Sequence, residues 1–564
     1  MMQRRKFLRT LPTIGAMPFI LNGIPFSSLA GNSELKQIVA SCPNDRVLVI
    51  LQLHGGNDGL NMLIPINDYD KYYNARPNIA ISDKGGRKYI NLDSTLPNAA
   101  LAGLHPDMTG VKSLYDEGKV AIVQGVSYEN QNQSHFRGRD VLFMGGGSSD
   151  YLDSGWVGRY LKDKYAPQQY PQDFPNDTMK DPLALEFGNE VSGIFHQGDN
   201  LSTSISINDP TSFFNLVNEL EGFVDKDIDP RGFPPETIKN SPYGKELTWI
   251  LSLEDKIDQY DDRLLQVYNA GKASDPNVVY PSVYPFRTPS KISRNPLTSQ
   301  LKIIANLIHG GCQTKVYLVR LGGFDTHAQQ VINTDASMGN HAALLYHISS
   351  AMKSFQEDLT KRNIEDRVLS ITASEFGRRI KSNASYGTDH GLGSPVMIFG
   401  KGVNPGIIGN APNLDVDNIE MQYDYRQLYA SIMKDWMCAD ASLVDSLSGI
   451  YHGEYTGRGE TLPIINNNIS SINEFVRKRF HLNNCYPNPA SDFTTISFYI
   501  NTESEVLIRI MTIEGKLIRK VLNERKSPGE HSVTVNVSDL MPGFYIYDIK
   551  AGILQDAKRL QIRR

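Results

Sequence analysis

The stretch LVRLGGFDTHAQQ, residues 318–330, opens as a short apolar run, stops at Gly322 and Gly323, and then presents Asp325 and His327 two positions apart. A continuous apolar run of strand length, bounded by glycine, reads as a strand buried on both faces. The pattern recurs on either side of it. RVLVILQLHGG (46–56), KVAIVQGVS (119–127), RVLSITASEFG (367–377) and SPVMIFGKG (394–402) have the same character, and segments with helical spacing at 105–118, 297–311 and 341–362 alternate with them. Buried strands linked by helices predict an α/β fold built on a parallel sheet. Residues about 210–275 read instead as consecutive helices set into that fold as a cap, and no internal repeat is found.

Composition limits what such a fold can serve. The chain has 564 residues, 40% hydrophobic and 21% charged, enough for a large core beside a smaller module. A net charge of −5, without a sustained Lys/Arg run, excludes the electrostatic footprint of a nucleic-acid binder. Cys42, Cys312, Cys438 and Cys485 show no CxxC spacing, so neither a thiolate zinc site nor a disulfide framework is indicated.

Both ends differ from the body, which spans 31–470. Residues 1–30 carry paired Arg4 and Arg5, then Phe7 and Leu8, a moderately apolar stretch, and Ser28 and Ala30, the layout of a twin-arginine-like export signal. A membrane anchor is the competing reading, but Pro12, Pro18 and Pro25 interrupt the stretch. Nothing later approaches the ~20 apolar residues of a transmembrane span. Beyond a linker at 471–483, residues 484–564 alternate β-branched runs with turns such as Pro487-Asn488-Pro489 and Pro542-Gly543, which predicts a small all-β sandwich.

In an open α/β sheet, functional groups gather outside the carboxyl ends of the strands. His54 to Gly59 end the first strand, and the segment after the second holds Ser134 and His135 before a helix. Asp325 and His327 end another strand, Glu375 a fourth, and Asp389 and His390 precede a fifth. Each has a plain structural reading. Asp58 fits a tight turn, Ser134 a helix N-cap, Asp325 a cap, and Glu375 an ion pair with Arg378 or Arg379. Their joint recurrence at five strand ends points to a site. Carboxylates and imidazoles without thiolates suit zinc, manganese or a similar divalent ion, one or two in number, and a hydroxyl beside such an ion is a reasonable nucleophile. No G-x-S-x-G, H-E-x-x-H, Walker A or G-x-G-x-x-G motif occurs, which removes the corresponding hydrolase, protease and nucleotide readings.

LQLHGGNDGLNMLIP (51–65), NQSHFRGRDVLFMGG (132–146), SGWVGRYL (154–161), LGGFDTHAQQ (321–330), ITASEFGRRIKSN (371–383) and GTDHGLGSPVMIFG (387–400) together resemble the family called domain of unknown function 1501. The resemblance implies an alkaline phosphatase-like fold, related to sulfatases and phosphoglycerate mutases. It implies metal ligands at Asp58, Asp325, His327, Glu375 and His390, with Ser134 or His135 at the nucleophile position. Phe376 stands where a second-metal histidine is expected, and Asp325 and His327 are closer in sequence than the superfamily's pair. Two functions stay open: a metal-dependent hydrolase of phosphate or sulfate esters on a small molecule or glycan, and a noncatalytic surface binding protein on the same fold. YPNPASD (486–492), IRIMTIEGKLI (508–518) and MPGFYIY (541–547) resemble the type A sorting domain of the type IX secretion system. That resemblance implies partnership with the export and secretion machinery of a Bacteroidetes-type cell, and an outer-membrane surface or extracellular destination.

Overall fold

A computed structural model describes residues 45–188, 190–198, 201–212, 241, 260–288, 292–440, 443–444, 461–466, 480–483, 485–500, 503–512, 516–551 and 554–563, with 20–21 and 24–25. Most of the export signal at 1–30, most of the cap at 210–275 and most of the linker at 471–483 lie outside the described residues. The chain divides into two compact units, Pro43–Asn466 and a second that includes Asn467–Arg564.

The larger unit is organised by a nine-stranded sheet. Its strands are β1 (Val47–His54), β2 (Val120–Ser127), β3 (Ala184–Phe187), β4 (Ser204–Ile207), β5 (Val316–Gly322), β6 (Val368–Ala373), β7 (Ser394–Phe399), β8 (Gly406–Ile408) and β9 (Tyr423–Asp424). Their order is β8-β2-β7-β6-β1-β5-β3-β4, with β9 also paired to β2. β1 lies at the centre, parallel to β5 on one side and β6 on the other, with His54 opposite Gly322 and Gln52 opposite Ala373. Both apolar faces of β1 are used, because successive side chains point to opposite sides. Val47, Val49, Leu51 and Leu53 join a core with the helices Thr109–Asp116, Pro296–His309 and Asn340–Lys361, whereas Leu48 and Ile50 join the core on the other face with His135–Met144, Trp156–Tyr165 and Tyr425–Ser431. The result is helices on both faces of a mixed sheet.

One strand runs against the rest. β7 is antiparallel to both β6 and β2. Its N-terminal end therefore lies at the same edge as the C-terminal ends of β1, β5 and β6. This carries the segment before β7, with Asp389 and His390, to that edge.

Local chemistry fixes the helices that border it. Ser134 is the N-cap of His135–Met144, its Oγ accepting the Arg137 N–H at 3.4 Å, and Gly145 ends the helix in the left-handed region. Asn295 caps Pro296–His309, with proline in the first turn where its missing N–H costs nothing. Gly55 has φ +125°, and a Cβ there would stand 2.2 Å from the Asp325 amide nitrogen. Only glycine lets the turn after β1 pack so closely on the turn after β5.

The cysteines correct one expectation. Cys438 is disulfide-bonded, whereas Cys312 and Cys485 are free and buried. Isolated positions without a spacing motif gave no sign of the bond.

In the C-terminal unit, Phe480–Leu482, Phe493–Ile500 and Gly529–Asn536 form one antiparallel sheet, and Leu517–Lys526, Ser504–Thr512, Gly543–Ala551 and Leu554–Ile562 form another. Ile496, Phe498, Ile508, Ile510, Tyr547, Ile549 and Leu560 fill the core they share. This is the expected all-β arrangement, and its first strand is Phe480–Leu482.

Candidate metal centre

Three imidazoles turn the same atom toward one carboxylate oxygen. Nε2 of His327, His390 and His135 lies 3.3, 3.4 and 3.6 Å from Asp325 Oδ1. His135, Asp325 and His390 each offer a ligand atom, and those atoms lie within 4.8 Å of one another. The far nitrogens each face an oxygen that accepts. His390 Nδ1 is 2.8 Å from the Gln133 carbonyl oxygen, which can only accept, and His135 Nδ1 is 2.8 Å from Glu375 Oε1. His327 Nδ1 stands 3.4 Å from Asp389 Oδ1 in the same sense.

Each neutral ring that donates from Nδ1 keeps a lone pair on Nε2. In that tautomer the Nε2 of His135 and His390 presents a lone pair to the space beside Asp325 Oδ1, whereas a ring protonated at Nε2 donates to that oxygen, as His390 can at 3.4 Å. His135 Nε2 is buried and has no hydrogen-bond partner among the described residues. Acceptors facing acceptors are repulsive unless a cation lies among them, and two imidazoles with a carboxylate are a common donor set for a divalent ion. The residues fit a metal.

Arg378 organises the oxygen at the middle. It is fully buried and donates to the carbonyls of Gly56 and Thr388 at 2.8 Å each and of Phe324 at 3.0 Å, to the Gly55 carbonyl, and to Asp325 Oδ1 at 2.8 Å. Partial burial pushes the Asp325 pKa up, but the Arg378 guanidinium outweighs it and holds the carboxyl below its ordinary value, with His390 and His327 acting in the same direction. Burial keeps the His390 pKa below the usual imidazole value. Asn383, with His327 adding, holds Asp389 low.

The other residues singled out in the sequence occupy different places. Glu375 is 2% exposed, and its Oε1 accepts from the Gly55 N–H at 2.8 Å as well as from His135, with His54 Nδ1 at 3.6 Å. Its partners are thus an amide and imidazoles, not Arg378 or Arg379. Ser134 Oγ is engaged as the helix cap, so it is His135 that faces Asp325. Asp58 is not brought into the group. Arg76 Nη1 binds its two oxygens at 2.9 and 2.8 Å, Gln330 donates at 2.6 Å, and it caps Leu60. Burial pushes the Asp58 pKa up, but Arg76 reverses this and leaves it lowered. Phe376 fills the space beside His135 and His390, with ring centroids 4.8 and 4.4 Å away. His54, 47% exposed, was named at the first strand end in the sequence but not placed in the ligand set. Its position as the last residue of β1 was the available signal.

The protein is an α/β body with a His/Asp cluster at its strand ends, followed in sequence by an all-β unit. Residues 308–456 match the family described as Protein of unknown function (DUF1501), and residues 484–563 match the Secretion system C-terminal sorting domain. A segment similar to the DUF1501 model is thus followed, later in the same chain, by one similar to the secretion-sorting model. The matched segment contains Asp325, His327, Glu375, Arg378 and His390 but not His54 or His135. No curated protein matches the chain.

Among solved structures, a Bacteroides thetaiotaomicron protein, described under metabolism of multiple glycosaminoglycans, is 9% identical over 84% of this chain and 89% of its own, with TM-score 0.32. Phosphonate monoester hydrolase from Silicibacter pomeroyi is 10% identical over 92% and 88%, with TM-score 0.26. Alkaline phosphatase from the Antarctic bacterium TAB5 is 10% identical over 64% and 93%, with TM-score 0.22. At these scores the fold stands on its own strand order and register. No helix among the described residues is long and apolar enough to cross a membrane.

Proposed function

We propose that the body is an exported, metal-dependent hydrolase of phosphate or sulfate esters, with a divalent ion held by His135, Asp325 and His390 and with His327 beside it. The supporting observation is the convergence of Nε2 atoms on Asp325 Oδ1, with the buried His135 Nε2 lacking a hydrogen-bond partner among the described residues. A ligand set of imidazoles and one carboxylate favours zinc, with manganese next. When bound, the ion supplies Lewis-acid stabilisation of ester oxygens and lowers the pKa of water. The chain's own residues hold that position open: Asp325 and His327 are about half exposed, so an ester reaches the cluster from solvent. Arg378 Nη2, itself buried, acts on the substrate only through Asp325.

The C-terminal domain directs the protein to a secretion system. We assign this to type IX export in a Bacteroidetes-type cell, with the outer-membrane surface or medium as destination and a small-molecule or glycan ester as substrate. A second reading, a noncatalytic binding protein, is favoured by one observation. Arg378 already neutralises Asp325, which weakens that carboxylate as a ligand. Screening the metal-loaded protein against aryl phosphates and aryl sulfates separates the two. Turnover lost in Asp325→Ala supports the hydrolase, and a metal-loaded protein inert to both classes supports the binding protein.

A further inference from the structure

Glu375 uses only one of its oxygens on the cluster. Oε1 takes the His135 Nδ1 hydrogen and the Gly55 N–H, both at 2.8 Å. Oε2 is buried and has no hydrogen-bond partner among the described residues, and the same is true of Ser127 Oγ and Ser394 Oγ. All three residues line one cavity, together with Tyr128 and Gln131. It offers about 30 Å³ of space for the centres of water molecules. At ~10–15 Å³ per water this holds about two, too few atoms for an organic ligand. Unpaired polar atoms around a cavity of that size are the condition under which internal water is retained.

We infer that Glu375 is a positioning residue, bonded on its far side to internal water in this cavity, and that it fixes His135 as the Nδ1–H tautomer with its Nε2 lone pair turned to Asp325. Gly138, three residues on along the same helix, supports the arrangement. A Cβ at Gly138 would stand 3.0 Å from the Glu375 carbonyl oxygen and 3.2 Å from its Cβ, so the helix approaches Glu375 as closely as it does only without a side chain there. A carboxylate on the far nitrogen of a ligand imidazole sets ring orientation and basicity, and its loss costs ~10–100-fold in metal affinity. The inference rests on the metal reading of the site, and it gives Glu375 a role distinct from that of a ligand.

The test uses the full chain in three forms: wild type, Glu375→Ala and Glu375→Gln, whose amide oxygen still accepts the Nδ1 hydrogen. Zinc affinity is measured by chelator competition, and the tautomer of His135 in zinc-free protein by 15N NMR of labelled histidine. The expected result is an Nδ1–H ring in wild type and Glu375→Gln, a mixed tautomer in Glu375→Ala, and zinc affinity lower by ~10–100-fold in Glu375→Ala and by less in Glu375→Gln. Ser394→Val, which fills the cavity without touching Oε1, lowers zinc affinity severalfold. A folded Glu375→Ala that keeps both the tautomer and the wild-type affinity overturns the inference. A wild type that takes no zinc yet shows the Nδ1–H ring, lost in Glu375→Ala, overturns the metal reading and leaves the positioning role standing.

Discussion

Arg378, with no exposed surface, donates to Asp325 Oδ1 at 2.8 Å, while the Asp325 side chain is 51% exposed. The arginine also donates to four backbone carbonyls from three turns, its Nη2 being shared between the Gly55 and Phe324 carbonyls and the carboxylate that the histidines face. Arg378→Ala leaves those carbonyls unpaired in the interior, and its cost is expected at ~3–5 kcal/mol in urea denaturation. Arg378→Lys cannot reach several turns with one ammonium and recovers less than half of the loss. A loss below ~1 kcal/mol in Arg378→Ala contradicts this role.

Asp58 is expected to behave as half of a structural ion pair. Arg76 and Asp58 are both buried, and removing one partner strands the other's charge. Asp58→Ala therefore destabilises the body by ~3–5 kcal/mol, while the protein that does fold retains wild-type metal stoichiometry. Metal lost from folded Asp58→Ala, measured by elemental analysis, returns Asp58 to the ligand set.

The strand ends were legible in the sequence because buried parallel strands leave long apolar runs, and the polar residues that stop them stand out. Asp325, His327 and His390 were found that way. The direction of β7 was not, since Ser394–Phe399 has the same apolar wording whichever way it runs. Its antiparallel course is what brings His390 to Asp325. The pairing of Asp58 with Arg76 and Gln330 was equally hidden, because Gln330 lies 272 positions away and nothing local distinguishes a ligand carboxylate from a paired one. Ser134 and His135 are neighbours in sequence, and only the helix geometry separates the cap from the residue facing the cluster.

Ser134→Ala is expected to cost about 1 kcal/mol, the usual value of an N-cap. Metal content is unchanged, and so is ester hydrolysis, because Oγ is engaged with the Arg137 N–H. Stopped assays on aryl esters check this. Activity abolished at wild-type stability and metal content makes Ser134 the nucleophile.

Acid should destabilise the body well above the carboxylate range. Burial holds the His341 imidazole at about 4, against an ordinary value of 6.5, with Arg378 and Arg76 adding to the effect and Asp58 opposing it. Between those values the unfolded chain binds a proton that the folded one refuses. Stability present above pH 6.5 is therefore lost as pH falls toward 4, by up to about 3 kcal/mol at ~1.4 kcal/mol per pH unit. The lowered pKa of Asp58 extends the decline below 3.8. Urea midpoints of chelator-treated protein at pH 7.5, 5.5 and 4.5 measure it, and His341→Asn flattens the slope.

Removing residues 484–564 is expected to leave the body's melting and metal binding unchanged, because Pro43–Asn466 forms a compact unit of its own. The truncated protein should stay inside the outer membrane of the native host. Cell-surface protease sensitivity compares the two forms, and surface exposure that persists without the tail contradicts the sorting role.

Metal content separates a metal centre from a bare cluster of imidazoles and a carboxylate. Full-length protein purified without chelator is predicted to carry close to one equivalent of zinc or manganese by elemental analysis, and Asp325→Ala, His135→Ala and His390→Ala to carry little, while folding as wild type does. A folded wild type that binds no divalent ion, even after incubation with zinc, would contradict the metal centre.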